Sequence, residues 1–251
     1  MPLILATTTP GEPEIFASLQ GEGPSAGRPS VFVRLSRCNL ACHWCDTAYT
    51  WRFEGDNRPH DDEIAFDRGD NQVMLDEAEV AGQIAELGST WSFPRLVITG
   101  GEPLLQSAAL VRMLEHLEEL AGFYVEVETN GSIAPSTALA ESVHQFNVSL
   151  KLAHSGNPAD LALRTEAIAA FVGDRRAIFK FVVAQPSDVD EVAALAAAHG
   201  IPKARVLLMA EGRDSETLRS RQSWIAQACL DHGFGFTDRL HIHLYGDTRG
   251  T

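Results

Sequence analysis

The 251-residue sequence has few cysteines, few basic residues and no long apolar run, and each shortage narrows the possible functions. No stretch approaches the roughly 20 apolar residues that span a bilayer, so no membrane span is expected. The first ten residues lack the charged start and apolar core of a signal peptide, which favours a cytoplasmic location. Only 20 Lys and Arg face 34 Asp and Glu, a formal charge of −14, so nucleic-acid binding is not expected.

Three of the four cysteines lie within one short segment. Cys38, Cys42 and Cys45 have the spacing C-x3-C-x2-C, whereas Cys229 lies in an amphipathic segment that predicts a packed core thiol. Clustered thiols indicate a metal site in a reducing compartment rather than a disulfide framework. Thiolates suit zinc, with His43 as a fourth ligand, or an iron–sulfur cluster. A four-iron cluster on three cysteines would leave one iron open to a ligand.

Beyond these cysteines, short apolar runs alternate with amphipathic segments, which predicts a mostly parallel sheet. The predicted strands are Val31–Leu35, Arg95–Thr99, Phe123–Glu128, Asn147–Leu152, Ala177–Val183 and Arg205–Met209. The predicted helices are Asp76–Leu87, Ser107–Ala121, Asp160–Phe171, Ser187–His199 and Ser215–His232. Six strands are too few for a closed eight-stranded barrel. We therefore predict an α/β fold, a partial, open TIM-like barrel in a single domain over residues 1–251.

One segment, from about residue 48 to residue 73, interrupts this pattern. It is polar, has few aromatic residues after Phe53, and directly follows the cysteines. A connection of this length without clear structure is either functional or disordered. A lid, a partner-docking insertion or a tolerated surface loop would each explain it.

Chemically useful residues stand at the ends of the predicted strands, where ligands bind in such folds. Gly100 and Gly101 would let a backbone approach a ligand closely. Glu128 is expected at the mouth of the barrel, with Glu126 one layer deeper. A lysine in an apolar strand, such as Lys151, is costly unless paired or hydrated. The other strand-end candidates are Thr99, Glu102, Ser149, Leu150, Met209 and Glu211.

The segment before the first predicted strand adds a second group of polar residues. Gln20 and Glu22 offer an amide and a carboxylate that suit a guanine-like edge, although alone this segment is better explained as a glycine-rich turn. Arg34, four residues before Cys38, suits a bidentate grip on a carboxylate. Asp46 and Thr47 offer the hard oxygen ligands that Mg²⁺ prefers.

The cysteine spacing resembles that of the radical S-adenosylmethionine (SAM) superfamily, and the whole set of motifs resembles its 7-carboxy-7-deazaguanine synthase family. The resemblance implies a [4Fe–4S] cluster on the three cysteines, with SAM chelating the fourth iron. It implies SAM contacts from Trp44, Gly100, Gly101, Glu102, Ser149, Leu150, Lys151, Met209 and Glu211. It implies pterin contacts from Leu19, Gln20, Gly21, Glu22, Arg34, Thr99, Glu128 and the terminal Thr251. Mg²⁺ would be held by Thr47 and Asp46.

The same resemblance implies a reaction and partners. The substrate would be 6-carboxy-5,6,7,8-tetrahydropterin, contracted by a 5′-deoxyadenosyl radical to 7-carboxy-7-deazaguanine and ammonia on the route to queuosine and other 7-deazapurines. A flavodoxin or ferredoxin would supply the electron, a homodimer is expected, and Leu240–Gly246 would be the family's C-terminal strand. Two alternatives stay open: an activase of a glycyl-radical enzyme, and a non-catalytic zinc or iron–sulfur protein that binds a partner.

Overall fold

Residues 2–251, which the computed structural model describes, form one sheet whose strands alternate with helices. The strands are β1 (Leu3–Thr9), β2 (Glu12–Pro13), β3 (Ile15–Leu19), β4 (Pro29–Leu35), β5 (Gln72–Leu75), β6 (Arg95–Gly100), β7 (Tyr124–Thr129), β8 (Gln145–Val148), β9 (Ala177–Val183), β10 (Val206–Ala210) and β11 (Gly235–Thr237). The helices are α1 (Arg68–Asn71), α2 (Glu77–Gly88), α3 (Ser107–Leu120), α4 (Thr137–Ser142), α5 (Ala159–Ala162), α6 (Thr165–Gly173), α7 (Pro186–His199), α8 (Ser215–His232) and α9 (Leu240–Tyr245).

The sheet has a parallel part and an antiparallel part. Strands β4, β6, β7, β8, β9, β10 and β11 are parallel neighbours in that order. Strand β3 pairs antiparallel with β4, and β1 pairs antiparallel with β2, β4 and β5. The sheet does not close, because its order runs from β11 to β2 without a return. The predicted α/β fold with an open, partial barrel is therefore confirmed.

The parallel strands are covered on both faces, by helices on one side and by the site on the other. The face toward the helices is apolar, whereas the face toward the site carries polar side chains such as Glu126, Asn147 and Lys180. Strand β9 is buried along most of its length, and the buried residues include Lys180. The core continues through the apolar faces of α2, α3, α6, α7 and α8. Among residues 2–251, no helix combines the length and the apolar character needed to cross a membrane.

Most predicted elements match the structure to within two residues at each end, and two differ by more. The strand predicted over Asn147–Leu152 ends at Val148, the last residue that pairs with both β7 and β9, so Ser149 to Lys151 lie beyond it. The helix predicted over Asp160–Phe171 is two helices, α5 and α6, because Arg164 between them is extended.

The predicted C-terminal strand over Leu240–Gly246 is wrong, because this segment forms the helix α9. Its alternation of histidine with Leu and Ile imitates the two-residue period of a strand. The chain instead leaves the sheet after β11, and the Leu240 amide donates a hydrogen bond to the Gly21 carbonyl at 2.9 Å. Only Ile242 of this helix is buried. The segment therefore closes against the N-terminal loop rather than against a sheet edge.

Residues 48–73 have more structure than their composition predicts. The segment includes α1 and the start of β5, which pairs with β1, and a bridge joins Phe53 to Phe66. The Arg52 guanidinium donates to the carbonyls of Asp62 and Ile64 at 2.6 and 2.7 Å. The segment is thus an ordered wall beside the cysteines.

Candidate active site

A cavity of about 430 Å³ lies at the carboxyl ends of the parallel strands. The predicted site residues all line it, apart from Glu102 and Leu150. We call one side the cysteine half (Cys38, Cys42, Cys45, Trp44, Gly100, Gly101, Ser149 and Lys151). We call the other side the charged half (Gln20, Glu22, Arg34, Asp46, Glu128, Lys180 and Arg239). Further lining residues that were predicted are Leu19, Gly21, Thr47, Thr99, Met209, Glu211 and Thr251.

In the cysteine half, each sulfur has a nitrogen donor from a different part of the chain. Asn157 Nδ2 donates to Cys42 Sγ at 3.3 Å, and Trp51 Nε1 donates to Cys45 Sγ at 3.3 Å. Asn130 Nδ2 lies 3.9 Å from Cys38 Sγ. Such donors favour the negatively charged state that sulfur has as a metal ligand.

The protein alone keeps these thiols protonated. Burial, helped by Glu102, raises the pKa of Cys38 to about 12. Burial, helped by Asp46, raises the pKa of Cys45 to about 11, and burial also raises the pKa of Cys42. Bound metal would supply the positive charge that favours thiolates.

The paired glycines are required for packing of the protein against itself. A Cβ on Gly100 would lie 2.1 Å from the Leu35 carbonyl oxygen, and one on Gly101 would lie 2.0 Å from the Arg37 carbonyl oxygen. Gly100 also has φ of +129°, a conformation that favours glycine. These glycines bring the end of β6 directly against the start of the cysteine loop.

Glu102 fixes that arrangement from behind. Its fully buried carboxylate accepts hydrogen bonds from the Leu104 amide, the Thr129 hydroxyl and the Asn130 amide, at 2.7 to 3.0 Å. Burial raises its pKa. Glu102 therefore holds the turn after β6 to the turn after β7, and Leu150 packs against Gly131 in the same region.

The cysteine half fits a cluster with a bound SAM. Lys151 Nζ donates to Ser149 Oγ at 2.9 Å and lies 5.5 Å from the centre of the Trp44 ring, so these side chains meet on one side of the cavity. Trp44 Nε1 is a buried donor with no acceptor among residues 2–251. A buried N–H without a protein partner is costly, so this donor fits an acceptor atom of a ligand in the cavity.

The zinc alternative needs His43 as its fourth ligand. In the described part of the chain no three or more His, Cys, Asp or Glu side chains are grouped around a position for one metal ion; this holds for the three cysteines too, so it does not separate zinc from a cluster. The His43 ring instead lies against Gly156, whose added Cβ would be 2.2 Å from His43 Nε2.

The charged half is linked by ion pairs between two buried cations, Lys180 and Arg239, and partly exposed carboxylates. Lys180 Nζ donates to Glu22 and, at 2.9 Å, to Glu128. Arg239 donates to Glu22 at 3.1 Å and to Asp46. Burial raises the pKa of Glu22, but Lys180 and Arg239 lower it further, so its pKa lies well below the usual range. Burial instead raises the pKa of Glu128 despite Lys180.

Gln20 and Arg34 complete this half. Gln20 Nε2 donates to Glu128 at 3.3 Å, and Gln20 Oε1 accepts from the Glu22 amide at 3.2 Å. Arg34 Nε donates to the buried Glu14 at 2.8 Å, and the Tyr49 hydroxyl donates to the same carboxylate. Within residues 2–251, the terminal nitrogens of Arg34 donate to no protein acceptor. They are therefore available to a ligand carboxylate.

Asp46 and Thr47 stand between the two halves. Arg239 donates to Asp46 Oδ2, while Oδ1 accepts no hydrogen bond from the described residues. Thr47 Oγ1 lies 3.7 Å from Cys45 Sγ. Burial raises the pKa of Asp46, but Arg239 lowers it below the usual range, so an ionised oxygen faces the cavity. Mg²⁺ uses few protein ligands and keeps waters, which these two groups fit.

The C-terminal segment forms the last wall. A Cβ on Gly21 would lie 2.1 Å from His241 Nδ1, so the N-terminal loop needs glycine to accommodate α9. The Arg249 guanidinium lies 3.6 Å from the centre of the Tyr49 ring and donates to Asn71 Oδ1 at 2.9 Å. These contacts bring Thr251 to the cavity.

Sequence reasoning missed Lys180, Arg239, Glu14, Asn157 and Trp51. Lys180 carried a usable signal, because it is a lysine within an apolar strand, the same argument that selected Lys151. Glu14, Asn157 and Arg239 lie in segments without a distinctive pattern, so only the fold brings them to the site.

Comparison with known proteins places this geometry in a class. The model of the Radical SAM superfamily matches residues 33–219, so the chain is a radical SAM protein. A Pyrobaculum aerophilum 7-carboxy-7-deazaguanine synthase is 37% identical over 94% of this chain and 95% of its own. Its Halobacterium salinarum counterpart is 34% identical over 95% and 91%. This chain belongs to the 7-carboxy-7-deazaguanine synthase family. The structure of QueE from Escherichia coli shares the fold, with a TM-score of 0.66, 22% identity and 95% of each chain covered.

Proposed function

We propose that this protein is a radical SAM lyase that converts 6-carboxy-5,6,7,8-tetrahydropterin to 7-carboxy-7-deazaguanine and ammonia, in queuosine precursor biosynthesis. The observation that carries the proposal is the 37% identity, over 94% of the chain, to a relative named for that product. The cavity supports it, because one half offers clustered thiols and the other offers groups for a carboxylated heterocycle.

The cysteine half is assigned to the cofactors. When bound, a [4Fe–4S] cluster and SAM supply the electron and the 5′-deoxyadenosyl radical that the ring contraction requires. Cys38, Cys42 and Cys45 would hold the cluster, with Asn157 and Trp51 donating to two of the sulfurs. The SAM contacts are assigned to Trp44, Gly100, Gly101, Ser149, Lys151, Met209 and Glu211, which line the cavity, whereas Leu150 does not line it and is not assigned a contact. Glu102 is assigned a supporting role behind them.

The charged half is assigned to the pterin. Arg34, held at Nε by Glu14, would bind the substrate carboxylate through its terminal nitrogens. Glu128 and Glu22 would accept hydrogen bonds from the N–H groups of the heterocycle, while Gln20 and Lys180 hold both carboxylates in place. Leu19, Gly21, Thr99 and Thr251 complete the proposed binding surface.

Mg²⁺ is proposed to bind the Thr47 hydroxyl and Asp46 Oδ1, beside the substrate carboxylate. We predict that Thr47→Ala weakens the Mg²⁺ dependence of turnover about tenfold while iron and sulfide content stay unchanged, because one oxygen ligand is lost and no cysteine moves. Titrating Mg²⁺ in a product assay measures this. A variant that loses its cluster would show that Thr47 supports the cysteine loop instead.

Four further points are part of the same proposal. Residues 1–251 would form one domain, since one sheet runs through the chain from β1 to β11. The location would be cytoplasmic, where thiols stay reduced. The electron donor would be a flavodoxin or ferredoxin, and the assembly a homodimer. The charge of −14 argues against nucleic-acid and anionic-membrane partners.

The test is an anaerobic assay of the reconstituted protein. Dithionite, SAM, Mg²⁺ and 6-carboxytetrahydropterin are added, and 7-carboxy-7-deazaguanine is followed by mass spectrometry. We expect product from the native sequence and a loss of at least about 100-fold in both Cys42→Ala and Arg34→Ala, because each removes one half of the site. Arg34→Ala should keep its iron. 5′-Deoxyadenosine without the product would keep the superfamily chemistry but refute this substrate. If a protein with a fully loaded cluster formed neither 5′-deoxyadenosine nor the product, the proposal would be refuted.

A further inference from the structure

A second, smaller recess opens on the outer side of the cysteine loop. Its volume is about 210 Å³, and it is lined by Arg37, Cys38, Trp51, Phe53, Asp56, Arg58 and Arg68. Cys38 and Trp51 line both this recess and the main cavity. The recess therefore gives the cysteine loop a second opening, separate from the main cavity.

The recess carries positive charge on an acidic protein. Three guanidinium groups line it against one carboxylate, although the chain has a formal charge of −14. Arg58 pairs with Asp56 at 2.6 Å, whereas Arg37 and Arg68 form no ion pair among residues 2–251. All three arginines are exposed. This concentration of one sign of charge favours a partner of the opposite sign.

The arginines are held in place rather than free to move. Arg58 lies over the Trp51 ring at 4.6 Å, and Arg68 lies over the Phe53 ring at 4.8 Å, both rings being buried. Arg37 has φ of +77°, and among the described residues no other non-glycine has positive φ. Its amide donates to the Thr50 carbonyl at 2.6 Å. Such strain persists only where the surrounding structure imposes it, and it concentrates at functional sites.

The recess also has short connections to the sulfurs. Cys38 is in its wall, and Trp51 donates from Nε1 to Cys45 Sγ at 3.3 Å while its ring lies beneath Arg58. The recess combines positive charge at the surface, the Trp51 ring in contact with Cys45, and Cys38 in its wall. This combination suits the entry of electrons more than the binding of a small metabolite.

We propose that this recess is the docking site of a small acidic one-electron carrier protein, of the flavodoxin or ferredoxin kind. The inference rests on the proposed function, because the cluster of a radical SAM enzyme must be reduced. In each transfer the carrier loses one electron and the cluster gains that electron, with no bond made or broken. Residues 51–68 of the polar insertion then have a specific role, which is to supply two of the three arginines and both rings.

Binding is the first test. The probes are a purified flavodoxin and a purified ferredoxin, each titrated by calorimetry into the reconstituted holoenzyme at low and moderate salt. We expect the triple variant Arg37→Gln, Arg58→Gln, Arg68→Gln to bind at least one carrier about tenfold more weakly than the native sequence, and salt to have less effect on it. The matched control is Arg175→Gln, an exposed arginine beside the opposite end of β9, which should change binding less than about twofold.

Reduction of the cluster is the second test. The reduced carrier should reduce the cluster of the triple variant about tenfold more slowly at limiting carrier concentration, followed by the loss of visible absorbance, while dithionite reduces both proteins equally. The single variant Arg37→Gln repeats both tests without breaking an ion pair, because Arg37 has none among the described residues. If the triple variant bound both carriers, and was reduced by them, as well as the native sequence, the proposed docking site would be wrong. A dithionite-driven assay without product would instead refute the proposed substrate, and the two failures are distinguishable.

Discussion

The two halves of the cavity are held together by different interactions. In the cysteine half, neutral thiols from one short segment meet one or two neutral side-chain partners each, such as Asn157 at Cys42. In the charged half, side chains from distant segments form a continuous network, in which Lys180 reaches Glu22 across 158 positions of sequence and Arg239 reaches Glu22 across 217. The three thiols of the first half need a ligand to become charged, whereas the carboxylates and cations of the second are charged and paired before any ligand binds.

The largest effect should come from removing the cation that joins the charged half. Lys180→Met would leave the Glu128 carboxylate, whose side chain is 16% exposed, without an ion-pair partner. We expect a loss of about 3 kcal/mol in the free energy of unfolding, measured by urea denaturation of the apoprotein. This is the lower end of the range for a broken buried pair, since the uncompensated charge keeps some contact with water. Adding Glu128→Gln to this variant should recover part of the loss, because the orphaned charge is removed.

The matched control for this prediction is Lys151→Met in the cysteine half. Lys151 donates to the neutral Ser149 hydroxyl and contacts the Trp44 ring, so its loss should cost only about 1–2 kcal/mol. Equal losses for the two lysines would show that the halves are not held differently, and the comparison would fail.

The same contrast explains what the sequence could predict. The cysteine half was predicted because its three cysteines lie within eight residues of sequence and most of its other members follow predicted strands. Arg34 and Glu128 were found for the same reason, at strand positions with a clear period. Arg239 was not, because it lies in an irregular turn after β11, and nothing local indicates that this turn meets the N-terminal loop.

The secondary-structure predictions also succeeded where the local pattern is strong and failed where it is weak. The parallel βα units have strong local patterns, and their strands were placed correctly in order and number up to β10. The antiparallel strands β1, β2, β3 and β5 and the last parallel strand, β11, were missed. Three of them are only two to four residues long, and β5 emerges from a polar segment. The strand over Leu240–Gly246 was implied only by the family resemblance, and the segment instead forms helix α9, whose Leu240 amide donates to the Gly21 carbonyl.

The next largest effect concerns the packing that brings β6 to the cysteine loop. Gly101→Ala would place a Cβ 2.0 Å from the Arg37 carbonyl oxygen, so the backbone must shift. We expect a loss of about 2–3 kcal/mol in stability and a marked fall in iron content after reconstitution. Thermal denaturation and iron analysis measure the two effects.

Gly122→Ala is the control, because its Cβ would meet no atom within 4 Å and its backbone needs no positive φ. It should be neutral or stabilise by a few tenths of a kcal/mol, about the usual effect of an unstrained Gly→Ala change. If Gly101→Ala kept both its stability and its iron, the strand end and the cysteine loop would be less tightly coupled than their geometry indicates.

The smallest effect sharpens the comparison through pH. The pKa of Glu22 is lowered in the folded state, so the stability that it contributes is present above its unfolded pKa of 4.5 and is lost as pH falls below that value. Glu22→Gln should therefore flatten the decline in stability between pH 4.5 and 3 by about 1 kcal/mol per pH unit. Urea denaturation across this range measures the slope. Two controls carry no such pair: Glu118→Gln, exposed on α3, and Cys42→Ala in the cysteine half should both retain the native slope. The thiols carry no charge at acid pH, so they cannot themselves cause a loss of stability in acid. If Cys42→Ala flattened the slope as much as Glu22→Gln, the acid sensitivity would therefore belong to the cavity as a whole.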